Sequence, residues 1–296
     1  MMREIKHLVS IDQYDKKRLS NLFKSVSSET YGFRYQDYTT KKQIATLFYE
    51  PSTRTSASFH SAATQLGYAV LPINEVNYSS VTKGETLEDT IRTIASYVDL
   101  IVLRHGEKGA AQRAAAVSPV PIINAGDGIG EHPTQTLLDL YTIWEKFGKI
   151  DDLTITMMGD LKNGRTIHSL LHSLKFFNVK INLVSPDNLT APFKYAQGIN
   201  ISLSLTLTKN ICQQSDVLYM TRVQKERGSI GNYKLTKDNV NNFKEDMIVM
   251  HPFPRNEEIP KWFDTDSRAY YFKQIENGLY VRKSLLRSFL ENDSKN

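Results

Sequence analysis

The chain of 296 residues is long enough for two domains of ordinary size and for a core that needs no cross-links. Apolar residues make up 40% and charged residues 23%, which excludes disorder as the main state; a single cysteine, Cys212, excludes an intrachain disulfide framework and any cysteine-based metal cage. The net charge of +5 comes from both signs mixed along the chain, so it reads as a solvated surface and not as a nucleic-acid footprint.

The opening residues MMREIKHLVSIDQYDKK meet a charge every few positions, so no signal peptide is expected. No stretch approaches the roughly 18 uncharged apolar residues of a membrane span, and the expectation is a soluble, cytoplasmic protein. Strands are predicted at 44–49, 68–73, 99–104 and 120–124, and again at 153–158, 179–184, 199–205, 216–220 and 247–251. They are short continuous apolar runs, the pattern of parallel strands buried on both faces. Between them run helical stripes. Phe59, Ala62, Ala63 and Leu66 fall at i, i+3, i+4, i+7 and end on Gly67. Leu87, Ile91, Ile94, Ala95 and Val98 follow the capping pattern Thr86-x-x-Asp89, and Ile167, Leu170, Leu171 and Leu174 form a third stripe.

Repeated strand-then-helix order predicts an α/β fold: two α/β domains with mostly parallel sheets flanked by helices, joined by a connecting helix at 134–147. The expected boundaries are 1–133 and 134–280, with the C-terminal helix, 281–296, packing back onto the first domain.

Ligands of open α/β sheets bind at the carboxyl ends of strands. Glu50-Pro51-Ser52-Thr53-Arg54-Thr55 follows the first strand, and Arg104-His105 the third. The fourth leads into Asn124-Ala125-Gly126-Asp127-Gly128 and on to His132-Pro133-Thr134-Gln135. In the second half, Gly159-x4-Gly164-Arg165-Thr166, Thr221-Arg222 and Pro252-Phe253-Pro254-Arg255 occupy the same kind of position. Arginines, hydroxyls, a histidine and a glutamine gathered at strand ends make an anion site.

Ser52 to Thr55 open a helix, where backbone N–H groups and the dipole favour a phosphate; the plainer reading is that Ser52 only caps the helix. Gly159 to Thr166 nearly spells a nucleotide-binding loop, but Arg165 stands where its lysine belongs, and arginine suits a carboxylate clamp. A lone histidine is more often structural than catalytic; His132 shares its turn with Gln135 at the domain junction, which favours chemistry. No Ser-His-Asp or Cys-His grouping and no cluster with metal-ligand spacing is read, so neither metal nor cofactor is expected.

These motifs closely resemble the aspartate/ornithine carbamoyltransferase family, and within it the catalytic chains of the aspartate enzymes. F-x-E-P-S-T-R-T-S is read at 48–56 and S-S-V-T-K-G-E-T at 79–86. N-A-G-D-G leads into H-P-T-Q at 132–135, G-R-T stands at 164–166, Y-M-T-R-V-Q-K-E-R at 219–227 and H-P-F-P-R at 251–255. The likeness runs from about residue 5 to residue 290, in family order. Two departures stand out: Phe253 where leucine is more frequent, and a short segment between Gly228 and Met247.

The resemblance implies transfer of a carbamoyl group from carbamoyl phosphate to the α-amine of L-aspartate, the committed step of pyrimidine synthesis. Ser52, Thr53, Arg54, Thr55 and Arg104 would hold the phosphate. Thr55, Arg104 and His132 would polarise the carbamoyl oxygen, and Gln135 with the main-chain oxygens of Phe253 and Pro254 would accept from its NH2. Arg165 and Arg222 would clamp the aspartate carboxylates, assisted by Gln224 and Lys83. Glu50 would pair with Arg165 and Arg227 of the other domain as the domains draw together. Ser80 and Lys83 would reach into the site of an adjacent chain, implying a homotrimer with shared active sites, to which regulatory chains can be added.

The competing reading within the family is an ornithine enzyme. It would need an acidic partner for an amine side chain and reads His-Cys-Leu-Pro in the last motif. Here that position is Pro252, and Arg222 with Lys225 makes the second site cationic. A binding-only paralogue, a nucleotide hydrolase and a nucleic-acid binder are the remaining classes; the filled catalytic positions favour the transferase.

Overall fold

The run at 100–103 is apolar on both faces, as a strand covered by helices on both sides must be. In the computed structural model of the chain, which describes residues 6–31, 42–73, 84–222 and 233–291, this run lies inside a parallel sheet. All nine predicted strands are present: β1 (Gln43–Phe48), β2 (Ala69–Ile73), β3 (Leu100–His105), β4 (Ile122–Asp127), β5 (Thr154–Met158), β6 (Lys180–Val184), β7 (Asn200–Ser204), β8 (Val217–Met220) and β9 (Ile248–Met250). The helices among the described residues are α1 (Lys16–Tyr31), α2 (Thr53–Gln65), α3 (Leu87–Ala95), α4 (Ala110–Val117), α5 (Pro133–Phe147), α6 (Arg165–Leu174), α7 (Lys209–Gln214), α8 (Lys237–Asn241) and α9 (Tyr271–Leu290).

The chain forms two compact units, Met1–Leu138 with Asn277–Asn296, and Asp139–Glu276. The first division falls inside α5, between Leu138 and Asp139, and not ahead of it at 133/134. The second falls inside α9, which starts at Tyr271, well before the expected 281.

In the first unit the strands stand in the order β2-β1-β3-β4, all parallel. Ala45, Leu47, Ile101 and Leu103 of the sheet pack with Leu87 and Ile91 of α3 and with Ala110 and Ala114 of α4. Helix α2 ends as its glycine predicts. Gly67 takes φ 76°, Gly67 N donates to Thr64 O and Tyr68 N to Ala63 O, closing the last turn. Thr86 caps α3 by accepting from Asp89 N at 3.2 Å.

In the second unit the order is β7-β6-β5-β8-β9, again all parallel. Its core joins Met158, Val184, Leu218, Met220 and Val249 to Phe263 and Tyr271, with Cys212 as buried filler.

Each sheet reverses direction once. The chain leaves β1 for β2 on one side and returns to β3 on the other; it leaves β5 for β6 and returns to β8. Those reversals open a crevice at the carboxyl ends of β1 and β3 and another at those of β5 and β8. No helix among the described residues is long and apolar enough to cross a membrane.

Candidate active site

The first crevice is built by register. Phe48 pairs with Arg104 across β1 and β3, and Tyr49 N donates to Arg104 O at 2.8 Å. The segment from Glu50 to Thr55 therefore starts beside Arg104. Ser52 precedes the first turn of α2 but makes no side-chain capping bond, so its hydroxyl is not spent on the helix, contrary to the plainer reading. Thr55 is buried, whereas Thr53 and Arg54 are exposed at the helix start. The pairing of β3 with β4 slips between Leu103 and His105, placing Arg104 at an irregularity of the ladder, where strict alternation lapses. The Arg104 side chain is buried, with Nη1 donating to Ala125 O at 3.1 Å and Nη2 lying 3.4 Å from Glu50 Oε2. A guanidinium held by main chain on one side and carboxylate on the other is a fixed fork. Burial pushes the neighbouring His105 below the usual imidazole range.

His132 reaches the same rim through a tight turn. Asp127 Oδ1 accepts from Glu131 N at 2.5 Å, its Oδ2 from Gly109 N at 3.0 Å, and Gly130 N donates to Asp127 O at 2.8 Å. Gly128, with φ 56°, lets Gly128 N reach His105 O at 2.7 Å; a Cβ there would lie 2.0 Å from Gly106 O. His132 is buried just ahead of α5, its Nδ1 is 3.3 Å from Thr134 Oγ1, and its carbonyl accepts from Gln135 N at 2.9 Å. Ser52 to Thr55, Arg104, His132 and Gln135 thus share the carboxyl edge of one sheet.

In the second crevice Gly159, with φ 125°, brings the end of β5 against β8, since a Cβ there would lie 2.3 Å from Thr221 O. Arg165 opens α6 after Gly164, and Arg222 follows Thr221 directly. The two arginines expected to clamp carboxylates stand at neighbouring strand ends of one sheet. Asp160 shapes the loop by accepting from Asn163 N at 3.0 Å.

The loop after β9, next to β8, carries Phe253 and Pro254. Phe253 takes φ 55°, and its N–H donates to His251 Nδ1 at 2.9 Å. His251 Nε2 lies 3.0 Å from Glu258 Oε1, and Glu258 also accepts from Asn256 N at 2.9 Å. Burial alone would raise the Glu258 carboxyl, but the His251 ring and nearby N–H groups outweigh it and hold it below the usual range. Arg255, part of the same motif, is engaged by Asp264 and by Tyr271 OH at 2.9 Å. Sequence reading gives no role to Glu258 or Gln274, which meet His251 only through the fold, or to Asp139, which meets Gln274. Lys83, Ser80, Gln224, Lys225 and Arg227 lie outside the described residues.

Residues 6–145 match the family model for the aspartate/ornithine carbamoyltransferase carbamoyl-P binding domain, and residues 151–289 that for the Asp/Orn binding domain. The chain is 46% identical over 304 residues to the aspartate carbamoyltransferase catalytic subunit of Thermoplasma acidophilum, covering 98% of this chain and 99% of that one. It is equally 46% identical, over 296 residues and 95% of its length, to the multifunctional protein pyr1-3 of Dictyostelium discoideum, of which it spans only 13%. A crystal structure of aspartate transcarbamoylase from Trypanosoma cruzi in complex with carbamoyl aspartate and phosphate is similar at TM-score 0.90 and 40% identity, covering 97% of this chain and 96% of that one.

Proposed function

The chain belongs to the aspartate/ornithine carbamoyltransferase family, and from that premise we propose that it transfers the carbamoyl group of carbamoyl phosphate to L-aspartate, yielding N-carbamoyl-L-aspartate and phosphate for pyrimidine synthesis. The observation that carries this is the edge formed by Arg54, Thr55, Arg104 and His132 at the ends of adjacent parallel strands.

Carbamoyl phosphate places its phosphate at the start of α2, among Ser52, Thr53, Arg54 and Thr55, with Arg104 adding charge. The amine of aspartate attacks the carbamoyl carbon, and the carbonyl π-electrons move onto oxygen. Thr55, Arg104 and His132 donate to that oxygen, where charge develops in the transition state. Gln135 and the carbonyls of Phe253 and Pro254 accept from the carbamoyl NH2. Collapse of the tetrahedral intermediate breaks the carbon–oxygen bond to phosphate, which leaves with the electron pair and takes the amine proton. The residues supply position and charge, with no covalent enzyme intermediate. Arg165 and Arg222 clamp the two carboxylates, with Gln224 and Lys83 assisting. That cationic second crevice selects aspartate over ornithine.

The working form in this reading is a cytoplasmic homotrimer in which Ser80 and Lys83 of one chain complete a neighbour's site. Purified protein given carbamoyl phosphate and L-aspartate should release phosphate without ATP, and should go on doing so in a chelator. Release with L-ornithine but not L-aspartate would overturn the assignment.

A further inference from the structure

An imidazole braces the turn carrying Phe253 and Pro254. Phe253 has φ 55°, a conformation that a bulky side chain keeps only where its surroundings impose it. The N–H of Phe253 donates to His251 Nδ1 at 2.9 Å, so that nitrogen carries its lone pair and the ring is the neutral Nε2–H tautomer. Nε2 faces Glu258 Oε1 at 3.0 Å, and the same carboxylate oxygen accepts from Asn256 N. The ring therefore lies between the start of the turn, which it bonds at 253, and the carboxylate that caps its far side at 256–258.

The imidazole is itself anchored. His251 N donates to Gln274 Oε1 at 2.9 Å, Gln274 Nε2 to Asp139 Oδ1 at 2.6 Å, and Tyr219 OH to Asp139 Oδ2 at 2.8 Å. His251, Gln274, Asp139 and Tyr219 are each at most 1% exposed, so the chain of bonds is shielded from competing water. It runs from β8 through α5 and α9 to the residue after β9. The Phe253 ring adds edge-on contacts with His251 and Tyr271, at centroid distances of 5.6 and 5.9 Å.

We propose that His251 is a positioning residue: its imidazole fixes the Phe253–Pro254 turn so that both carbonyls are aimed at the carbamoyl NH2. The inference rests on the reading that these carbonyls accept from the substrate amide. It sets a specific signature, because a ligand with an amide needs the turn and inorganic phosphate does not.

Phosphonoacetamide, a stable amide-bearing stand-in for carbamoyl phosphate, and inorganic phosphate are titrated calorimetrically into the full chain and two variants. His251→Asn puts an oxygen acceptor near the Nδ1 position; His251→Gln puts its amide at the Nε2 position and leaves Phe253 N–H without that acceptor. The Gln variant should lose about tenfold in phosphonoacetamide affinity, the scale of one unmade buried hydrogen bond, and the Asn variant less than about threefold. Phosphate affinity should stay within about twofold in both, as its donors lie elsewhere. Unchanged phosphonoacetamide binding in the Gln variant, equal loss of both ligands, or no advantage of Asn over Gln would each overturn the proposal. Should the Gln variant not fold, ¹⁵N-histidine spectra of the unaltered protein decide. The His251 signal, identified by its loss in the Asn variant, must show unprotonated Nδ1 at neutral pH and shift with phosphonoacetamide but not phosphate. A protonated Nδ1, or equal shifts, would refute it. Turnover of the unaltered protein with aspartate is measured alongside; its absence would sink the assigned reaction, whereas turnover with indifferent variants sinks only the role of His251.

Discussion

Arg104 and Glu50 lie 3.4 Å apart, guanidinium Nη2 to carboxylate Oε2, at the carboxyl edge of the first sheet. The other arm of the guanidinium donates to Ala125 O at 3.1 Å, so three elements converge on one cation. A lysine carries the same charge but has no fork to serve both contacts. Arg104→Lys should leave the fold intact by circular dichroism and lower kcat/KM for carbamoyl phosphate by about 100-fold, the usual loss when a charge-stabilising donor is removed. A change under about threefold would show that charge alone suffices there.

Two glycines offer separate access to the two crevices. Alanine at Gly128 would set a Cβ 2.0 Å from Gly106 O in the turn that leads to His132, and alanine at Gly159 would set one 2.3 Å from Thr221 O beside Arg222. Both positions have left-handed φ, so side-chain repacking cannot absorb the change and backbone must move. Gly128→Ala should raise the KM for carbamoyl phosphate by about tenfold, and Gly159→Ala that for aspartate by a similar factor, a misplacement effect. The measurement is a pair of saturation curves for each variant; a reversal of the pattern would exchange the assigned crevices.

Asp264 should make the stability of the second unit depend on acid pH. Its hydrogen bonds with Arg255 come first among the causes that hold its carboxyl below the usual 3.8, ahead of the opposing effect of burial. A carboxyl with a folded-state pKa below its unfolded value contributes stability that is fully present above the unfolded value and is lost as pH falls through the folded one. Asp264→Asn should therefore cost about 1–3 kcal/mol at neutral pH, the range for hydrogen bonds to a charged group. Calorimetric Tm values should show the gap to the unaltered protein steady above about pH 5 and closing below about pH 4. A gap independent of pH would mean that packing, and not the ion pair, is what the substitution removes.

Most of the strands were legible because they are short apolar runs closed by a loop and buried within a parallel sheet, whereas the edge strands β2 and β7 contain no buried residue, and β7 alternates polar with apolar. The phosphate-side residues were legible for a related reason: Ser52 to Thr55, Arg104 and His132 each stand at the carboxyl end of a strand or within a few residues of it, so finding the strand finds the site. Helix α1 also carries a readable stripe, with Leu19, Leu22, Phe23 and Val26 buried at i, i+3, i+4, i+7, but lysines and serines dilute it. Helix α4 is alanine-rich and gives little contrast between faces. What stayed hidden is the support of the Phe253 turn. Asp139 and Gln274 are 135 positions apart, and nothing local marks a glutamine in α9 as the partner of a histidine after β9. Such partners are chosen by tertiary packing, which short-range pattern does not carry.

A last test concerns the shared site. Suppose Lys83 serves the neighbouring chain while Arg54 serves its own. Homotrimers of Lys83→Ala and of Arg54→Ala should then each be nearly inactive, since every site lacks one cation. Equal amounts of the two, unfolded together and refolded, form random trimers. Around any mixed ring, one junction joins a chain with intact Arg54 to a neighbour with intact Lys83. About three quarters of random trimers are mixed, and each regains one of its three sites, so activity should return to roughly a quarter of the unaltered enzyme by the counting that cyclic symmetry imposes. A site built within a single chain gives no such recovery at any mixing ratio. Refolded mixtures that stay inactive, while the unaltered protein refolds with full activity under the same conditions, would rule out the shared site and place Lys83 with Arg54 in one chain.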